Sequence, residues 1–211
     1  MPEVIIKVGG SLQKGNNLAD LCLTLGNIGK KHRIIIIPGG GIFADSVKKC
    51  TQDLNIDQDT AHWMAILAMN QYGYLLSSLI SGSVCTENIS ELKECADKHQ
   101  PVVFLPYRLI KEEDPLPHSW NVTSDSIAAW IAGYIKSRKL VLIKSRDMPN
   151  NNSACLNPLP LDSLKNTDMV DSALYPIVKK LKLDLWIINS NCPEQLIELF
   201  RQGNISESRL S

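Results

Sequence analysis

Two lysines in this chain stand beside residues suited to binding anions. Lys7 lies in Lys7-Val8-Gly9-Gly10-Ser11, at the end of the apolar run Val4 to Gly9. Glycines that follow a strand let backbone N–H groups approach a phosphate closely, and a lysine adds charge. Pro38-Gly39-Gly40-Gly41 repeats the arrangement after a second apolar run, Arg33 to Gly41. Read singly, the first is equally a lysine snorkelling from a strand end and the second a tight turn. Read together, on strands expected to be neighbours, they suggest one shared anion site. A third group, Asn121-Val122-Thr123-Ser124-Asp125-Ser126, opens a helical pattern. Thr123 or Ser124 suits its N-cap, and Asp125 falls in the first turn. Asp125 is then either an acid favoured by the helix dipole or a carboxylate that orients lysines. The fourth group is Lys144-Ser145-Arg146-Asp147, where a strand gives way to a loop. It is either a lysine aimed at the ligand edge of a sheet or a plain solvated loop start.

Other chemistries find no pattern. Neither the P-loop G-x-x-x-x-G-K-[ST] nor the dinucleotide fingerprint G-x-G-x-x-G occurs. His32, His62, His99 and His118 show no ligand spacing, so no metal held directly by side chains is expected. No serine or cysteine has a nucleophile's context. The six cysteines, at 22, 50, 85, 95, 155 and 192, form no C-x-x-C pair and read as small buried hydrophobes in a reducing cytosol.

The elements that must position these groups follow from periodicity. Val4 to Gly9, Arg33 to Gly41, the run VVFLPY after Pro101, Lys139 to Lys144 and Leu183 to Asn189 read as buried strands. Helical spacing covers Asn17 to Lys31, a segment from Phe43 to Asp45 onward, Asp57 to Ile80, Ser90 to His99, Thr123 to Ser137, Asp171 to Lys182 and Pro193 to Gln202. The polar stretch Lys111 to His118, with Pro115 and Pro117, is the candidate lobe boundary or lid. Asp147 to Asn157 reads as an Asn-rich loop. The Asp57–Ile80 helix is either packed within its lobe or a dimer surface. Strands alternating with helices imply an α/β fold, a three-layer αβα sandwich on a mainly parallel sheet. In such sheets ligands sit at the carboxyl edge of the strands, where both glycine runs fall.

Composition limits the partners. The chain has 211 residues, 22 Lys plus Arg against 22 Asp plus Glu, for a formal net charge of zero. At about 150 residues per domain, one domain or two intimate lobes is expected. With 44% hydrophobic and 21% charged residues, disorder is excluded as the main state. A neutral total argues against a nucleic-acid binder, which needs clustered positive charge. No apolar stretch approaches the about 18 residues of a membrane span. The N-terminus has no basic region leading into an apolar block, so a cytoplasmic location is expected.

The three motifs K-V-G-G-S-L, P-G-G-G and N-V-T-S-D-S-I-A-A-W together resemble the amino acid kinase family over nearly the whole chain. The longer stretches P-G-G-G-I-F-A-D-S-V, D-T-A-H-W-M-A-I-L-A-M-N-Q-Y-G and S-W-N-V-T-S-D-S-I-A-A-W-I-A resemble its branch for methanofuran biosynthesis in methanogens and methylotrophs. The resemblance implies an ATP-dependent kinase acting on [5-(aminomethyl)furan-3-yl]methyl phosphate, with ATP carrying Mg²⁺ on its phosphates, and a homo-oligomer. It implies an acceptor-binding lobe over 1–117 and a nucleotide-binding lobe over 118–211. Lys7 would contact the transferring phosphoryl group and Asp125 would hold the lysines in register. Gly9, Gly10 and Ser11, with Ser145 and Asp147, would line the phosphate and nucleotide path. Gly39, Gly40 and Gly41, with Asn121, Thr123 and Ser124, would bind the acceptor. Two stretches depart from the family. Its T-D-x-D-G-like loop is replaced by K-S-R-D-M-P-N, and its lysine-bearing G-G-M-x-x-K by M-V-D-S-A-L-Y-P. Lys144 is the candidate replacement for the missing lysine. The alternatives are a non-catalytic nucleotide or anion sensor, and a kinase of a small carboxylate or of uridylate.

Overall fold

Val4 to Val8 is buried at every position, which a strand can be only when both its faces are covered. The structure, a computed structural model, describes residues 3–15, 17–146, 158–164 and 168–201. Among them are six strands: β1 (Val4–Val8), β2 (Ile34–Pro38), β3 (Val84–Thr86), β4 (Val102–Phe104), β5 (Lys139–Lys144) and β6 (Asp184–Asn189). They form one sheet in the order β3-β4-β2-β1-β5-β6, and every pairing is parallel. The expected α/β sandwich with a parallel sheet is the fold observed. β1 pairs with both β2 and β5, so the three candidate motifs that follow these strands converge on the centre of one sheet.

Side chains alternate across the sheet, and this alternation builds two cores. Ile5, Ile35, Ile37, Leu140 and Leu142 face one layer, with Ile127, Ala128 and Ile131 of α6 (Ser124–Tyr134), Val178 of α7 (Leu174–Leu181) and Leu92 of α4 (Ile89–Asp97). Val4, Ile6, Val8, Ile36, Val141 and Ile143 face the other, with Leu21 and Leu25 of α1 (Leu18–Gly29) and Leu196 and Leu199 of α8 (Pro193–Arg201). α3 (Gln58–Leu79) supplies Ile66 and Met69 to the first core and Tyr72 and Leu76 to the second. α2 (Gly41–Leu54) buries none of its residues and packs on α3.

Several sequence expectations need correction. VVFLPY is strand only over Val102–Phe104. The chain turns at Pro106 into α5 (Tyr107–Glu113), so the first part of the expected Lys111–His118 boundary is helical. α2 starts at Gly41, earlier than the Phe43–Asp45 expectation, because the Gln13 side-chain oxygen accepts from the Ile42 N–H at 2.7 Å and caps it. α7 starts at Leu174 rather than Asp171, which stands ahead of it, its carboxylate accepting from the Ala173 N–H at 3.1 Å and its carbonyl from the Leu174 N–H at 3.2 Å. β3 has only three residues and carries too little periodicity to read from sequence.

Candidate active site

The same alternation that fills the first core points Lys7 into it. Lys7 shares the strand face of Ile5, and Lys144 shares that of Leu140 and Leu142. Both ammonium groups therefore rise on the side covered by α6, whose first turn carries Asp125. Lys7 Nζ lies 2.8 Å from Asp125 Oδ1, and Lys144 Nζ donates to Asp125 Oδ2. Asp125 is 2% exposed and Lys7 4%, so neither is an ordinary solvated surface charge. Burial pushes the Asp125 carboxyl upward, and Lys7 and Lys144 outweigh burial and hold it below the usual carboxylate range. Burial, then Lys7, lowers Lys144, with Asp125 acting against both. Two ammonium groups thus meet at the carboxyl edge of the sheet with Asp125 between them, while Asp171 acts on Lys144 from further off.

The glycine runs meet there backbone to backbone. A Cβ on Gly10 would lie 2.0 Å from the Gly41 nitrogen, and one on Gly39 would lie 2.5 Å from the Gly10 nitrogen. Only glycine permits that approach, and Gly41 also takes φ of 56°. Gly9 donates to the Ile143 carbonyl at 3.0 Å, and Gly39 to that of Val8 at 2.9 Å, which locks both runs to the strands carrying the lysines. Ser11 and Ser145 share a hydroxyl hydrogen bond at 3.1 Å, joining the first and fourth motifs.

Thr123 is the N-cap of α6, its hydroxyl accepting from the Asp125 N–H at 3.3 Å. A residue missed from sequence completes this end. Asp171 accepts from the Thr123 N–H at 3.0 Å, the Thr123 hydroxyl at 2.6 Å, the Ser126 N–H at 3.2 Å and the Ser126 hydroxyl. Asp171 lies in the M-V-D-S-A-L-Y-P stretch, so where the family pattern has glycines and a lysine, this chain has a carboxylate clamping the helix of Asp125. The signal for it in sequence was only an acid before a helical pattern, which reads as a cap for the following helix.

Two cavities open on either side of Thr123. One, of about 380 Å³, is lined by Gly10, Ser11, Gly40, Gly41, Thr123 and Ser124 at one part and by apolar residues of α3 and α6 at another. The other, of about 430 Å³, is lined by Asn121, Thr123, Asp125, Lys144 and Asp171. Gly39, part of the glycine crossing, lines neither cavity, and Asn121 lines the second rather than the first. Asp147 lies outside the described residues. Among those described, no three His, Cys, Asp or Glu side chains gather as a metal cage, and no helix is long and apolar enough to cross a membrane.

Residues 2–151 match the model of the amino acid kinase family. The chain belongs to the amino acid kinase family. Within the family it is similar to the [5-(aminomethyl)furan-3-yl]methyl phosphate kinase of Methanocaldococcus jannaschii, 28% identical over 202 residues, which cover 92% of this chain and 91% of that one. It is 21% identical to the uridylate kinase of Methanosarcina barkeri, over 99% of this chain and 95% of the relative. Among solved structures, the uridylate kinase of Archaeoglobus fulgidus shares the fold with a TM-score of 0.72 at 19% identity, over 95% of this chain and 96% of that one.

Proposed function

We propose that this chain transfers the γ-phosphoryl group of ATP to the phosphate of [5-(aminomethyl)furan-3-yl]methyl phosphate, giving the diphosphate and ADP. An oxygen of the acceptor phosphate attacks the γ-phosphorus, and the bond from that phosphorus to the β–γ bridging oxygen breaks. The observation that carries this reading is the Lys7–Asp125–Lys144 cluster, centred on a buried carboxylate, beside the crossed glycine runs. Phosphoryl transfer asks mainly for in-line placement and matched positive charge. An acceptor that is already an anion needs no general base, in keeping with a cluster of two ammonium groups and one carboxylate.

In this reading Lys7 and Lys144 contact the transferring group and Asp125 fixes both ammonium positions. Gly9, Gly10 and Ser11 line the phosphate path, and Ser145 and Asp147 serve the nucleotide. Gly39, Gly40, Gly41, Thr123 and Ser124 bind the acceptor, with Asn121 on the opposite side of Thr123. Residues 1–117 form the acceptor lobe and 118–211 the nucleotide lobe. Mg²⁺ arrives on the ATP phosphates and neutralises charge there. The chain works in the cytoplasm as a homo-oligomer through α3, whose Leu67 and Tyr74, seven residues apart, are both exposed.

The placement of Lys144 on Asp125 favours a kinase over a sensor, because it supplies the second cation that M-V-D-S-A-L-Y-P lacks. ATP consumption in the presence of the furan phosphate, uridine monophosphate and small carboxylates separates the readings. Turnover with the furan phosphate is expected. ATP binding by calorimetry without turnover on any acceptor supports the sensor and sinks the proposal.

A further inference from the structure

The connection from α5 to α6 carries a closed turn. The Ser119 carbonyl accepts from the Val122 N–H at 3.0 Å, and the Ser119 hydroxyl from the Asn121 N–H at 3.1 Å. Trp120 of this turn lines both cavities, Ser119 and Val122 line the first, and Asn121 lines the second. Carboxylates hold the turn at both ends. Asp171 holds Thr123 on one side. On the other, His118 meets two acids from separate elements. Its Nδ1 lies 2.8 Å from Asp59, in the first turn of α3, and its Nε2 lies 2.8 Å from Asp114, the C-cap of α5. The His118 ring is 20% exposed, stacks on His62 and meets Trp63 edge-on at 4.8 Å. Two ring nitrogens donate to two carboxylates only in the imidazolium form. A neutral ring has one N–H and turns a lone pair towards the other carboxylate. The remaining titratable groups of this cluster are His62, which burial and then His118 lower to about 4, and Lys111, 3.8 Å over the Trp63 ring. The hydrogen bond to Asp114 raises His118, partial burial works against it, and the bond to Asp59 raises it further.

We propose that His118, as an imidazolium, is a positioning residue that pins the Ser119–Val122 turn to α3 and α5 and so sets the cavity wall the phosphorylated acceptor meets. The inference rests on the reading of the chain as a kinase of a small phosphorylated acceptor. Loss of the proton gives up one of the two carboxylates. Leu116 and Val122 stay packed in the core and Asp171 still holds Thr123, so the change is confined to the turn and Trp120. Lys7, Lys144 and Asp125 keep their places. The acceptor is then bound less tightly, while the chemical step is little altered.

The test measures KM for [5-(aminomethyl)furan-3-yl]methyl phosphate, and kcat, from pH 6 to 9 in the wild type, His118→Ala and Asp59→Ala. Titration of the substrate is common to all three proteins, so the ratio of variant to wild-type KM is the readout. For His118→Ala the ratio is expected to be about tenfold at pH 6, the scale of one charge-assisted hydrogen bond. It should fall towards one as pH climbs through the raised value of His118, with kcat within about twofold of wild type throughout. Asp59→Ala removes one of the two anions, so the rise of its own KM should come at lower pH than in the wild type. If His118→Ala does not fold, that displacement, at an exposed position of α3, decides. A KM ratio near one at pH 6, a loss confined to kcat, or an undisplaced profile in Asp59→Ala overturns the role of His118 and leaves the proposed reaction standing. A wild type that does not phosphorylate the furan phosphate overturns the proposed reaction and this inference with it.

Discussion

Lys7 and Asp125, both buried, form with the half-buried Lys144 a triad in which each charge depends on the others. Truncating Lys7 leaves Asp125 paired with Lys144, so the fold should survive although a cation is gone. Lys7→Ala is expected to lower turnover by about 10²–10³-fold or more, the scale of removing one preorganised group that faces developing charge. Near-normal ATP turnover in that variant would refute the assignment. Lys144→Ala tests the substitute cation separately: a comparable fall is expected, and unchanged turnover would mean that Lys144 does not replace the lysine missing from M-V-D-S-A-L-Y-P. His62 of α3 stacks on His118, centroids 4.3 Å apart, and His118 bonds Asp59 and Asp114 through its two ring nitrogens, so the pair makes a prediction about pH. Burial, followed by the His118 imidazolium, lowers His62 to about 4. Its folded value lies below its unfolded one, about 6.5. The unfolded state then binds more protons, and stability falls as pH drops from about 6.5 towards 4. His118 runs the opposite way. Its hydrogen bond to Asp114, helped by that to Asp59, raises it, and its contribution is present below about 6.5 and lost as pH climbs through the raised value. Urea midpoints between pH 4 and 6.5 should fall steeply in the wild type and less in His62→Gln. Equal slopes would show that His62 is not the titrating group.

At the scale of elements, α6 is the part whose position decides the site. Its N-terminus carries Asp125 and is held from outside by Asp171, through two backbone N–H groups and two hydroxyls. Asp171→Ala removes an acceptor for donors that α6 cannot satisfy within itself. About 2 kcal/mol of stability should be lost, as for a strong cap with charged hydrogen bonds, read as a lower urea midpoint. Asp171 should also act on catalysis as a positioning residue, lowering kcat more than it raises the KM for ATP. A variant with wild-type kcat and reduced stability would restrict it to capping. Part of this region was legible in sequence: a cap at Thr123 or Ser124, Asp125 in the first turn and the limits of β5 all follow from local chemistry. Asp171 was not, because its partners lie 45 and 48 residues away and nothing local shows which helix an acid will cap.

For the whole molecule, the strand order matters most. β1 sits between β2 and β5, which brings residues 7, 39–41 and 144 to one edge although 137 positions separate the two lysines. The outer surface of α3 makes a separate prediction about assembly. Leu67 and Tyr74 are 41% and 61% exposed, an apolar stripe of the kind that interfaces cover. Light scattering should show a dimer or larger species, and Leu67→Asp combined with Tyr74→Asp should shift it towards monomer. A monomeric wild type would place the stripe in solvent.

Local chemistry sets the strands of the sheet centre and the two glycine turns, and narrows the cap of α6 to Thr123 or Ser124. Each is set by neighbours within a few residues: apolar runs demand burial, and glycine permits backbone conformations other residues refuse. It could also name Lys7, Asp125 and Lys144 as candidates. Chain folding over long range brings both lysines to one sheet face and one carboxylate, sets Asp171 on the helix bearing it and stacks His62 on His118. Those outcomes depend on strand order, register and helix docking. These arise from packing summed over the whole chain, and no local window of residues carries that information.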